Sequence, residues 1–243
     1  MKHTLLLASL CLVLAACEKE NRFDCFTSMG PVETELRALP PFTEVHAYHR
    51  IDIVYRRDTA YRAEVRFGRN VVHHIATDVR DGALYIDNNA RCNWVRSLKV
   101  VPQVVLYAPT LRYFANRNSG SLHFADTLIA NKLTYEEWQA NGTKNLLVQA
   151  DTAQIYKHTG SSLLTARGLA TRAELYNAST GPLYAEDLKS PITNSRSNSI
   201  QPLHVYASVY LFAILSGRGD IRYAGNPAQI DKVVQGTGRI APL

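Results

Sequence analysis

The chain has 243 residues, 46% of them hydrophobic and 20% charged, and its 27 Lys and Arg against 21 Asp and Glu give a formal net charge of +6. The positive excess is scattered among acidic residues, with no basic stripe interleaved with aromatics, which is the pattern of a solvated surface and excludes a nucleic-acid partner. Roughly 220 residues follow the leader, enough for one large β domain or two small ones.

The leader comes first. Lys2 precedes an apolar run from Thr4 to Leu14, about 10 residues long, too short to span a bilayer but right for the centre of a signal peptide. It ends in Leu14-Ala15-Ala16-Cys17, small residues before a cysteine that is placed to accept lipid. Residues 1–16 are therefore expected to be a lipoprotein signal peptide and Cys17 the lipidation site. Acyl chains would hold the protein to a membrane, at ~0.8 kcal/mol per buried methylene. Loss of Lys2 reduces the charge from +6 to +5. Residues 17–41 are polar and carry Pro31, Pro40 and Pro41, which suits a lipidated tether. Cys11 leaves with the leader, so Cys25 and Cys92 remain. They either pair in an oxidising envelope compartment, at about 4 kcal/mol for so long a loop, or stay free.

Residues 42–110 are expected to form an N-terminal β segment. Ile51, Ile53 and Tyr55 alternate with Asp52 and Val54, and Ala63, Val65 and Phe67 alternate with Glu64 and Arg66. Asp81-Gly82 marks a turn before Ala83–Ile86, and Val100–Tyr107 is a further strand-like run. Period-two patterns with turn residues between them predict half-buried strands.

From residue 111 to 243 short units recur. Asn118-Ser119-Gly120-Ser121-Leu122, Thr159-Gly160-Ser161-Ser162-Leu163 and Ser179-Thr180-Gly181-Pro182-Leu183 are examples, and Gly236-Thr237-Gly238-Arg239-Ile240 is the last. Their spacing of roughly 20 residues predicts the coils of a β-solenoid, here expected as a right-handed β-helix, in which stacked coils bury apolar faces that none could bury alone. Phe114, Trp138, Tyr156, Tyr176 and Phe212 each lie a few positions before a turn glycine. Stacking would gather them into one ladder. We read it as an interior aromatic stack in preference to a binding face for sugar or peptide, for which Trp138, Tyr156 and Tyr176 are the candidates.

These residues resemble the head GIN domain family of auto-transporter adhesins, found among envelope lipoproteins of Bacteroidetes. The similarity runs from Leu39-Pro40-Pro41-Phe42-Thr43-Glu44-Val45 through Asp81-Gly82-Ala83-Leu84-Tyr85-Ile86 and Val104–Leu111. It is most specific at Ser216-Gly217-Arg218-Gly219-Asp220-Ile221, where Arg218 stands in place of a small residue. The resemblance implies a β-solenoid in the cell envelope and carries over no catalytic residues.

Independent chemistry is sparse. His73 and His74 are neighbours that a strand would send to opposite faces, and no histidine spacing suits a metal. Neither a metal nor a cofactor is expected. Glu136-Glu137 is the closest carboxylate pair, and Asp151 and Glu174 sit at coil spacing, as a polysaccharide-acting enzyme with a carboxylate groove would need. Arg218-Gly219-Asp220 matches an adhesion tripeptide but fits a tight corner equally well. The reading is a non-enzymatic, lipid-anchored envelope protein presenting an adhesin-like or scaffold surface to a glycan or protein. The alternatives are the carboxylate enzyme and a β-helix that self-assembles through its ends.

Overall fold

The computed structural model describes residues 28–90 and 100–243. Cys17, Cys25 and Cys92, with the expected signal peptide and the first part of the expected tether, lie outside them. The described residues form nineteen strands and one short 3-10 turn, and no helix among them is long and apolar enough to cross a membrane.

The alternation in the sequence becomes a β-solenoid with two walls. Strand β8 (Tyr113–Asn118) is followed by β9 (Leu122–Phe124), β10 (Leu128–Glu137), β11 (Thr143–Lys157) and β12 (Leu163–Asn177). Then come β13 (Leu183–Lys189), β14 (Ile192–Ser197), β15 (Leu203–Tyr206), β16 (Tyr210–Leu215), β17 (Ile221–Ala224), β18 (Gln229–Val234) and β19 (Ile240–Pro242). The front wall stacks β8, the second halves of β10, β11 and β12, then β14, β16 and β18, all parallel. The back wall stacks β9, the first halves of β11 and β12, then β13, β15, β17 and β19.

One inward rung runs Phe114, Tyr135, Ile155, Leu175, Ser195, Ala213, Lys232, so successive coils are 21, 20, 20, 20, 18 and 19 residues long. All but Lys232 are buried. One continuous core lies between the walls, and each fully buried Leu or Ile in it contributes ~1.5–3 kcal/mol.

The N-terminal segment is a curled mixed sheet that continues the stack. β2 (Glu44–His49) pairs with β8 in the front wall, and β3 (Asp52–Arg57) pairs with β9 in the back wall. β6 (Ala83–Asn88) and β7 (Gln103–Ala108) add one further level, parallel to β2 and β3. Antiparallel strands close this end: β5 (Ile75–Arg80) on β6, β4 (Arg62–Gly68) on β7, and β1 (Val32–Ala38) on β4. β1 corrects part of the expected tether. Its seven residues pair in unbroken register from Val32↔Gly68 to Ala38↔Arg62, and the Arg37 guanidinium fastens it by donating to the carbonyls of Ile75 and Val72 and to Thr77 Oγ1. His73 and His74 also depart from expectation. They occupy the 3-10 turn Val72–His74, with ring centroids 4.0 Å apart.

At the other end, β18 and β19 have strand partners on one side only among the described residues. Lys232 stands there at an inward rung position, donating to the Ile240 carbonyl at 3.3 Å. An inward charge and a proline, Pro242, blunt an edge against pairing, which opposes growth end to end.

Corners carry a second surprise, buried lysines. Lys144 is fully buried, and its ammonium donates to the carbonyls of Asn118, at 3.1 Å, and Gly120. Burial pulls its pKa down to about 8, whereas an unfolded lysine keeps its proton to about 10.4. Between about pH 8 and 10 the unfolded chain therefore binds more protons, and folding stability rises with pH. Tyr55 and Tyr113, both pushed up to about 12, chiefly by burial, reverse the trend above about pH 10, where unfolded tyrosine ionises first. Urea midpoints should rise across that window, and Lys144→Met should flatten the rise.

Candidate functional site

The outer face of the front wall carries the site. Strand alternation turns Glu136 and Trp138 outward from β10 and the loop after it, Gln154, Tyr156 and His158 from β11 and the residue that follows it, and Glu174 and Tyr176 from β12. Asn194 and Arg196 follow from β14, then Phe212 and Ile214 from β16. The register sets these side chains in rows along the solenoid: Gln154, Glu174, Asn194, Phe212 in one, and Glu136, Tyr156, Tyr176, Arg196, Ile214 in the next.

His158 is the hub of the aromatic group. Its ring stacks on Trp138 with centroids 3.9 Å apart and 13° between planes, and it meets Tyr176 edge-on at 5.7 Å. Burial lowers its pKa, against the opposing charge of Glu136, so the imidazole is neutral at neutral pH.

The carboxylates are held by phenols and amides. Glu136 Oε2 accepts from Tyr113 Oη at 2.9 Å and from Trp138 Nε1 at 3.4 Å. Glu174 Oε2 accepts from Tyr156 Oη at 2.9 Å and from Gln154 Nε2 at 2.7 Å. Burial, reinforced by Glu174, raises the Tyr156 phenol, which stays a donor at neutral pH. Between the β12 and β16 side chains lies a groove of about 470 Å³, with Glu174 and Tyr176 on one side, Phe212 and Ile214 on the other, and Asn194 and Arg196 between them. Flat aromatic surface beside fixed acceptors and donors can stack on the apolar face of a sugar ring while hydrogen-bonding its hydroxyls, or can clasp a peptide.

The predicted ladder divides. Phe114 is in the core, between Phe124 and Tyr135, but Trp138, Tyr156, Tyr176 and Phe212 face outward. The preferred interior stack is thus corrected, because Phe114 shares the inward parity of Tyr135, Ile155 and Leu175, and the other four have the opposite parity. His158, Gln154, Asn194 and Arg196 escaped sequence reasoning. Extending each strand by twos from Tyr156 and Tyr176, at the coil spacing, would have found them.

The acids do not converge. Glu136 faces out while Glu137 is fully buried. Glu174 is paired across coils with Gln154, and Asp151 lies in a separate groove on the narrow side between the walls, with Ile129, Lys132 and Leu169. No cluster of three or more metal-ligating side chains occurs among the described residues. In Arg218-Gly219-Asp220, the Asp220 carboxylate accepts from the Arg239 backbone N–H at 2.8 Å and from Arg222 at 2.8 and 3.1 Å, and both lower its pKa. That aspartate is committed to its corner.

Known structures share the fold. A crystal structure described as "a putative adhesin" from Bacteroides fragilis is 19% identical, with a TM-score of 0.79 over 88% of this chain and 97% of that one. A second "putative adhesin", from Parabacteroides distasonis, is 19% identical with a TM-score of 0.68, over 88% of this chain and 98% of that one. A "putative lipid binding protein" from the same species has 19% identity and a TM-score of 0.65, over 88% and 97%. Among curated proteins none matches the chain. The family model "Putative auto-transporter adhesin, head GIN domain" matches residues 41–227. The chain belongs to the head GIN domain family.

Proposed function

We propose that the protein is a non-enzymatic envelope lipoprotein, anchored through Cys17, that binds glycans on the outer face of its front wall. The single observation that carries the reading is the outward group Trp138, His158, Tyr156 and Tyr176, whose hydrogen bonds to Glu136 and Glu174 hold it rigid beside a groove. Preorganised aromatic faces bind at low entropic cost, and a solenoid wall offers them at regular spacing without a deep pocket. Membership of an adhesin family supports the envelope location.

The test uses the full chain carrying Cys17→Ser, whose move from the membrane to the soluble fraction also checks the anchor. This protein is applied to an array of bacterial and host glycans and matrix proteins. Saturable glycan binding is expected, weakened at least about fivefold by Tyr176→Ser or Trp138→Ala, the loss of about 1 kcal/mol that marks a contributing interface residue. Binding that ignores both substitutions would place the ligand elsewhere, and binding confined to the matrix proteins would make the ligand a protein.

A further inference from the structure

The groove on the front wall differs from its surroundings in how its polar side chains are used. On the coils before it the outward groups satisfy one another, Glu136 with Tyr113 and Trp138, and Glu174 with Gln154 and Tyr156. On the coils after it the Tyr210 hydroxyl donates to Asp231. Inside the groove, the Asn194 carboxamide, the Arg196 guanidinium and the Tyr176 hydroxyl have no hydrogen-bond or ion-pair partner among the described residues.

The register explains the shape. Tyr176, Arg196 and Ile214 share one row, and Glu174, Asn194 and Phe212 share the next. The two walls therefore stand two strands apart, about 9.5 Å, with β14 as the floor. That span admits one flat ring between side-chain faces, and the volume of about 470 Å³ is within the range of small-ligand sites.

The charge is placed on the floor. The row neighbours of Arg196, Tyr176 and Ile214, are uncharged. Glu174 is the one acid among the lining residues, and both of its donors stand on β11, the strand away from β14. His158 adds no charge at neutral pH, since burial lowers its pKa.

On the reading of this wall as a glycan-binding face, we propose that the groove takes a sugar ring carrying a carboxylate, a uronic or sialic acid, and that Arg196 recognises that group. A guanidinium offers two parallel N–H donors that match the two oxygens of a carboxylate. Arg196 gives up no partner of its own to make that pair, so the ligand adds an ion pair instead of exchanging one. The apolar face of the ring packs on Tyr176 or against Phe212 and Ile214, and Asn194 and the Tyr176 hydroxyl serve the ring hydroxyls. Arg196 is exposed and tied to nothing in the fold, which makes its substitution a test of binding and not of folding.

The full chain carrying Cys17→Ser is titrated by calorimetry with trigalacturonate and sialyllactose, each against its methyl ester, which keeps the rings and removes the charge. At least one acid is expected to bind about tenfold or more tighter than its ester, the size of one charge-assisted hydrogen bond. Arg196→Gln should abolish that difference, and Arg196→Lys should keep part of it. A preference for the acid that survives in Arg196→Gln would overturn the role of Arg196. Equal binding of acids and esters, or binding of neutral array glycans alone, still weakened by Trp138→Ala, would overturn the acidic ligand and leave the glycan reading standing. Absence of any glycan binding would overturn both.

Discussion

Gly168→Ala should destabilise the fold by roughly 2–6 kcal/mol, the sum of backbone strain and overpacking in a site that cannot relax. Gly168 sits in β12 just past a register shift against β13, where the strand leaves the back wall. Its φ is +117°, and a Cβ there would lie 1.9 Å from the Val148 carbonyl oxygen of the coil beneath. Two coils would have to separate to admit one methyl group. Gly82 is the matched control. Its φ of +75° is also left-handed, but a Cβ there meets nothing within 4 Å, so Gly82→Ala should cost only the conformational part, about 1–2 kcal/mol. Urea unfolding of the two variants separates crowding from backbone strain, and equal losses would show that coil contact at Gly168 is not the cause.

Glu137→Ala is the second large effect, at about 3–5 kcal/mol, the range for removing one member of a buried ion pair. The carboxylate receives the hydroxyls of Tyr135 and Ser162 and faces the Lys157 ammonium, all buried. Alanine would leave both hydroxyls without this acceptor and the Lys157 charge, held then only by the Ser162 and Pro182 carbonyls, without its counter-ion. Glu137→Gln keeps an acceptor and should lose less, roughly 1–3 kcal/mol. Urea midpoints check the order, and a Glu137→Ala variant as stable as the wild type would contradict the buried pairing.

The solenoid was legible because its physics repeats. Every coil needs a tight corner and an inward apolar residue, so Gly120-Ser121-Leu122 and Gly181-Pro182-Leu183 betray both the fold and its period, whereas after Gly160-Ser161-Ser162 it is Leu164, not Leu163, that turns inward. What stayed hidden was parity. Glu136 and Glu137 read as a surface carboxylate pair, yet successive residues of a strand face opposite sides, and Glu137 lies two residues beyond buried Tyr135, hence inside. Its charge disguised a core position. Lys144, Lys157 and Asn177 were disguised in the same way, since their burial depends on corner carbonyls that only stacked coils bring within reach. The aromatic residues were noticed, but a spacing counted to the next glycine mixes inward Phe114 with outward Trp138, because corners differ in length. β1 was missed because its residues are mostly exposed and lack the buried alternation that marks the other strands.

The central claim is that the front wall is a glycan-binding face. Titration of the array-selected glycan against the full chain carrying Cys17→Ser, with Trp138 emission and sugar release followed together, tests it most directly. Saturable change in emission, lost in Trp138→Phe, with no released sugar, is the predicted result. Reducing ends or unsaturated sugars appearing with time, or binding that leaves Trp138 unaffected, would contradict it.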